Sequence, residues 1–298
     1  MKSQSRRFAL ITGAGGGLGS AFAMEAARKG WNLVLIDLPS SGVKELGQRL
    51  ERAYTVETYS VAFDLADADG RERLVAWIAR EGIEVDLLIN NAGTGSCSAF
   101  ESAPLSRLAG IIDVNVQALM QLTYLFLPQL KRRRRATILN VASLAAFYPM
   151  PSMAVYAATK SFILNFSLAI RHELAGTGVS VSALCPAGMV TNRDTADQVD
   201  AQGFFGKITT LYPERVAAIA LRQALRGRDV IIPGVVNRLI RCLSAIVPRA
   251  WVIRIIGGRW RTEARTRPAP TPRAAERPPL GLPPARRARA SIAEAPSV

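Results

Sequence analysis

The stretch FALITGAGGGLG, Phe8–Gly19, sets a short apolar run directly against a glycine-rich turn. Phe8–Ile11 carries no polar residue, the pattern of a strand covered on both faces. Glycines permit positive φ and let the main chain approach a ligand closely. A helix opening at Leu18 would present its free N–H groups to a phosphate. The spacing Gly13-x3-Gly17-x-Gly19 departs from the strict G-x-G-x-x-G dinucleotide fingerprint. What makes it a nucleotide loop is its place as the first strand-to-helix turn of a chain that alternates the two.

That alternation runs from residue 8 to about residue 232. Further strands are expected at Asn32–Asp37, Thr55–Phe63, Asp86–Asn90, Thr137–Ala142, Val179–Cys185 and Val230–Ile232. Amphipathic helical stretches lie between them at Leu18–Lys29, Val43–Arg52, Gly70–Arg80, Leu105–Leu130, Tyr156–Leu174 and Glu214–Leu225. Short unalternating apolar strands separated by helices predict an α/β domain. Its fold is a Rossmann-type doubly wound parallel sheet of about seven strands, with helices on both faces. The expected organisation is this domain over residues 1–234, a basic amphipathic extension over 235–261, and a disordered Pro/Ala/Arg-rich tail over 262–298.

The 298 residues are 49% hydrophobic, which excludes wholesale disorder. The net charge of +15 is unevenly placed: residues 1–233 hold 25 basic and 20 acidic residues, while 234–298 hold 13 arginines and 3 glutamates. Without Lys131–Arg135 the first 233 residues are neutral, which argues against a specific nucleic-acid-binding face. Scattered Cys97, Cys185 and Cys242 form no pairing framework and point to a reducing, cytoplasmic setting. The apolar run after Met1–Arg7 is too short for a signal peptide. No run supplies the ~20 uninterrupted apolar residues of a spanning helix. His172, the single histidine, leaves no His-rich metal site and reads as a surface residue.

Asp37 closes the second strand, where a carboxylate can accept hydrogen bonds from the adenosine ribose hydroxyls. It would repel a 2′-phosphate, and no Arg or Lys lies in the glycine loop or in residues 38–43, so NAD is favoured over NADP. Farther on, Ser143 follows the fifth strand, and Tyr156 and Lys160 stand one helical turn apart. A tyrosine titrates near ~10, and a neighbouring ammonium favours its phenolate. Ser143 could then hold a substrate oxygen while Tyr156 exchanges its proton as general acid/base.

The glycine loop, NNAG at Asn90–Gly93, Asn115-Val116, Ser143 and YAATK at Tyr156–Lys160 follow one another in register. In that order they resemble the classical short-chain dehydrogenase/reductase family, over about residues 8–234. The resemblance implies an NAD(P)-dependent oxidoreductase with Gly13, Gly17, Leu18 and Gly19 along the pyrophosphate. Asp64 and Leu65 would meet the adenine, and Asn91, Ala92 and Gly93 the other face of the cofactor. Asn115 would anchor a water linking Lys160 to solvent, and Lys160 would also bind the nicotinamide ribose. In CPAGMVT, Ala187 stands where the family commonly has glycine, whereas Thr191 keeps its register for the carboxamide. CPAGM, VIIPG and the basic segment that follows resemble a bacterial steroid- or acyl-chain-dehydrogenase-like subgroup.

Phe100, Phe147, Met150, Met153, Met189 and the segment 192–206, with Phe204 and Phe205, are candidate pocket residues. The set is apolar, so the expected substrate is a hydrophobic alcohol or ketone, sterol-, acyl- or lipid-like. The family resemblance further implies a homodimer or homotetramer built on the two long helices. A dinucleotide-binding scaffold without turnover is the alternative, opposed by the presence of Ser143, Tyr156 and Lys160 together. In the extension, Val236, Leu239, Ile240, Leu243, Ile246 and Val247 form a helical stripe with Trp251, Trp260 and six arginines nearby. Such a stripe either covers the edge of the core or the substrate pocket, or lies on an anionic membrane surface.

Overall fold

The computed structural model describes residues 7–189, 210–244, 246–248, 251, 253 and 254. Seven strands form one parallel sheet: β1 (Phe8–Thr12), β2 (Asn32–Asp37), β3 (Thr58–Ala62), β4 (Val85–Asn90), β5 (Ala136–Val141), β6 (Val179–Leu184) and β7 (Val230–Ile231). Their order is β3-β2-β1-β4-β5-β6-β7. The order reverses between β1 and β4, and a crevice at that switch point is where such sheets bind ligands. The expected third strand is shorter than Thr55–Phe63, because Glu57 N is turned to the Asn32 side chain instead of a strand partner.

Strand residues alternate between two apolar layers. Ala9, Ile11, Leu33, Leu35, Leu87 and Ile89 face one core with α1 (Gly17–Arg28), α2 (Val43–Ala53) and, beyond the sixth strand, the helix Pro213–Ala224. Leu10, Val34, Ile36, Val85, Leu88 and Ile138 face the other, with α3 (Ala68–Arg80) and the helix Leu119–Lys131. Continuous apolar strands are therefore required on both sides, which is why each reads without polar alternation.

The helix expected over Leu105–Leu130 is not uniform. It runs as α4 (Leu105–Ile112), a π-helical turn (Asp113–Ala118) and α5 (Leu119–Lys131). By length and composition alone Leu105–Lys131 is long and apolar enough to cross a membrane, with a mean hydropathy of 1.3 over its most apolar 18 residues, although polar residues interrupt it. Its inner face, with Asn115, Leu122, Phe126 and Leu130, is buried in the protein core. The remaining helices are α6 (Ala154–Glu173), α7 (Pro213–Ala224) and α8 (Val235–Ser244).

The run Lys131–Arg135 also has an inward role. Arg133 donates to Asp86 Oδ1 at 2.7 Å and pairs with Glu84, tying the end of α5 to the start of β4. The apolar stripe of α8 does not cover the core: Leu239 and Leu243 are each 57% exposed, so the edge-cover reading is corrected.

Candidate active site

The glycine loop sits at the C-terminal end of β1 and is shaped by contacts only glycine allows. Gly13 has φ +65°, and a Cβ on Gly19 would stand 1.9 Å from Gly13 O. From the next strand, Asn91 Nδ2 donates to Thr12 O at 2.9 Å and Gly13 O at 3.0 Å. Thr12 Oγ1 accepts from Asn91 N and Ala92 N, each at 3.0 Å. Asn91 thus fixes the loop with its side chain, and Thr12, which sequence reading passed over, joins β1 to β4. A threonine at the junction of an apolar strand and a glycine loop is the signal that could have marked it.

Gly13, Gly17, Leu18, Gly19, Asp37, Asp64, Leu65, Asn91, Ala92 and Gly93 all line one cavity of ≈490 Å³, together with Leu38, Phe63, Thr94 and Val114. Asp37 Oδ2 accepts from Gly15 N and Oδ1 from Leu38 N, both at 2.7 Å, so the carboxylate is held at the cavity edge. No lysine or arginine is among the described residues that line it. A glycine cradle, a helix N-terminus and a fixed carboxylate fit a dinucleotide. Beneath it, the buried Arg71 donates to Leu65 O and, at 2.7 Å, to Gln121 Oε1. Burial lowers the Arg71 guanidinium from its ordinary value, while Asp113, Asp67 and Asp64 oppose that shift. Nothing in the local sequence distinguishes Arg71 from a surface arginine of α3.

The chemistry-bearing side chains adjoin this cavity. A Cβ on Gly93 would lie 3.3 Å from Lys160 Nζ, and one on Gly95 would lie 3.0 Å from Tyr156 Cδ2. Gly95 therefore leaves the space the Tyr156 ring takes, a role the sequence reading missed. Ser143 caps a short 3-10 turn, its Oγ accepting from Ala145 N at 3.1 Å. Its side chain acts on the Tyr156 phenol, favouring the ionised form. Asn115, fully buried in the π turn, accepts from Thr94 N at 2.8 Å and donates to Thr94 O and Thr159 Oγ1. Its side chain thus anchors the loop after β4. Single π turns concentrate at functional sites.

Lys160 is buried and donates to Val141 O at 2.9 Å. Its Nζ stands over the Tyr156 ring, 5.7 Å from the centroid. Burial pulls the ammonium down to about 8. Burial also pushes the Tyr156 phenol above its ordinary value, opposed by the Ser143 side chain. Cys185 is fully buried and its thiol is pushed up to about 12, which marks it as an inert strand residue.

The apolar pocket candidates are only partly brought together. Phe100 and Met153 line a small cleft with Tyr156, whereas Phe147 and Met150 line a separate groove of ≈490 Å³ with Ile253. Met189 packs against the α1–α7 side of the core. Thr191, Arg193, Phe204, Phe205 and the rest of 192–206 lie outside the described residues, as does the tail 262–298. Ser152 is the only non-glycine at positive φ among the described residues. Ala187 thus needs no glycine. A larger cavity of ≈600 Å³, lined by Arg135, His172 and Asp229, lies at the N-terminal end of β6, remote from this chemistry.

A family model for short chain dehydrogenases matches residues 7–201. Very-long-chain 3-oxoacyl-CoA reductase-B of Danio rerio is 32% identical over 189 residues, 62% of this chain and 60% of that protein. The chain thus spans about 60% of that relative's length. A solved 7beta-hydroxysteroid dehydrogenase superposes with a TM-score of 0.77 at 25% identity, covering 84% of this chain and 96% of that one. A Burkholderia phymatum short chain dehydrogenase/reductase in complex with NAD gives 0.67 at 27% identity, covering 78% of this chain and 90% of the other. The same TM-score relates a Sphingobium yanoikuyae short-chain dehydrogenase in complex with NADPH, at 25% identity and coverages of 82% and 97%. Sheet order, glycine cradle, Ser143–Tyr156–Lys160 cluster and family match agree: the chain belongs to the short chain dehydrogenase family.

Proposed function

We propose that the chain is an NAD-dependent oxidoreductase that interconverts an apolar secondary alcohol and its ketone, with a sterol or acyl chain as the apolar part. The observation that carries this reading is Lys160, held on Val141 O two residues before Ser143, with its Nζ over the Tyr156 ring and beside Gly93 of the glycine-cradled cavity. Gly13, Gly17, Leu18 and Gly19 would hold the pyrophosphate, Asp37 the adenosine ribose, and Asp64 and Leu65 the adenine. Asn91, Ala92 and Gly93 would floor the cofactor, and Lys160 would reach its second ribose. When bound, the dinucleotide supplies or accepts the hydride.

The chain's own residues manage the proton. Burial keeps Tyr156 protonated at neutral pH, which suits donation to a carbonyl oxygen as it becomes a hydroxyl. Ser143 steadies that oxygen with its hydroxyl. Lys160 keeps an ammonium against Val141 O, and Asn115 holds the loop that borders both. The carbonyl-reducing direction also fits the names of the 3-oxoacyl-CoA reductases among the relatives. Three free cysteines suit a reducing, cytoplasmic compartment. Exposed Ile112, Met120 and Tyr124 along α4–α5, with Phe162 and Leu168 on α6, support a homo-oligomer joined across these helices.

Cofactor choice rests on Asp37 and the absence of a lining cation. Calorimetry should give tighter binding for NADH than for NADPH by roughly tenfold or more, as expected for one uncompensated like-charge contact. Equal or tighter NADPH binding contradicts the role assigned to Asp37.

A further inference from the structure

Helix α8 is packed with its polar side inward. Asn237 is buried and donates to Pro233 O at 2.9 Å. Arg241 lies over the Phe147 ring at 4.3 Å, and Ser244 Oγ is 2.6 Å from the Tyr148 hydroxyl. These three positions recur at i, i+4 and i+7, one helical face. The apolar residues Val236, Leu239, Ile240 and Leu243 are turned outward. The exposed apolar surface continues through Ile246, 83% exposed, and Trp251, 62% exposed. A surface helix ordinarily hides its apolar stripe and shows its polar one.

We propose that the outward face of α8 docks the catalytic domain on an anionic lipid surface. An exposed apolar patch of this kind marks an interaction site, and charge decides which. Arg238 flanks the stripe and is exposed. Residues 234–298 carry 13 arginines against 3 glutamates. A second copy of this chain would bring two such arginine-rich segments together, at a repulsive cost. An anionic bilayer accepts the apolar stripe at its acyl boundary and the arginines at its phosphates. The contact also has a consequence for the site. Helix α8 leans on Phe147 and Tyr148, in the loop between Ser143 and Tyr156, so docking holds that loop close to the lipid. The groove between Phe147, Met150 and Ile253 adjoins the same loop.

The test uses the full chain with vesicles of phosphatidylcholine and phosphatidylglycerol, and with phosphatidylcholine alone. The wild-type chain is expected to co-sediment with the anionic vesicles and far less with the neutral ones. Leu239→Glu with Leu243→Glu should weaken that partition roughly 100-fold, the order expected from losing two buried leucines. Both changes point outward, so thermal melting should be unaltered; Leu239→Ser with Leu243→Ser gives a milder pair with the same direction of loss. Retention of the wild-type chain in the supernatant overturns the proposal. So does equal pelleting of the variants, which would assign binding to the arginine tail alone. A wild-type dimer that the variants dissociate, without vesicle binding, would make this face a seam between copies and also overturn it.

Discussion

A tyrosine phenol titrates near ~10 in water, and its place beside the end of β5 pushes that of Tyr156 higher. Spacing alone showed that Tyr156 and Lys160 share a helix face, and it suggested that the ammonium would favour the phenolate. It could not show where a four-carbon lysine stem ends. Val141 O captures Nζ, which leaves the charge over the ring. The burial that holds Lys160 there has a measurable signature. Its folded value of about 8 lies below the ordinary 10.5, so between those pH values the unfolded chain binds more protons. Stability therefore rises with pH across that window, and below about pH 8 the buried charge weighs on the fold in full. Urea unfolding should show a gain of about 2 kcal/mol from about pH 7.5 to about pH 9.5 that Lys160→Met lacks. A gain of the same size in the variant removes Lys160 as its source. Ser143, Tyr156, Lys160 and the glycines were legible because each chemistry needs a particular residue type at a fixed offset. Gly95 and Arg71 were not, since their roles depend on a ring and a carbonyl contributed by other segments.

At the scale of elements, apolar runs and helical periods located all seven strands to within a few residues. The π turn at Asp113–Ala118 escaped because its apolar pattern is that of the flanking α-helix. The inward pairing of Arg133 escaped for a similar reason: its partners lie 47 and 49 residues upstream. That pairing makes a stability claim. Arg133→Ala leaves Asp86 largely buried without its cation and should lower unfolding free energy by about 2 kcal/mol. Arg132→Ala, on an exposed side chain, should change it by less than about 0.5 kcal/mol. Equal effects in denaturant titrations would mean that the Arg133 pairs do not hold α5 to β4. Helix α8 shows the remaining limit. Periodicity reveals that a helix has an apolar stripe but not which side meets the domain, and here Arg241 and Ser244 find partners on Phe147 and Tyr148.

Over the whole molecule, charge and chemistry are separated. The sheet domain is close to neutral outside Lys131–Arg135, and the excess of +10 lies beyond residue 233. The exposed apolar residues of α4–α5 and α6 lie on elements other than α8, so the proposed oligomer and the proposed lipid docking can be tested separately. Sedimentation velocity should find a dimer or tetramer that Tyr124→Arg with Phe162→Arg dissociates; a monomeric wild-type chain would refute that interface. The central claim is proton transfer by Tyr156 during hydride exchange, and it is tested most directly by following NADH oxidation with an apolar ketone or a 3-oxoacyl thioester. Wild-type turnover should fall roughly 10²–10⁴-fold in Tyr156→Phe, while NADH affinity stays within about twofold. Undiminished turnover in that variant, at the same NADH affinity, would contradict the account.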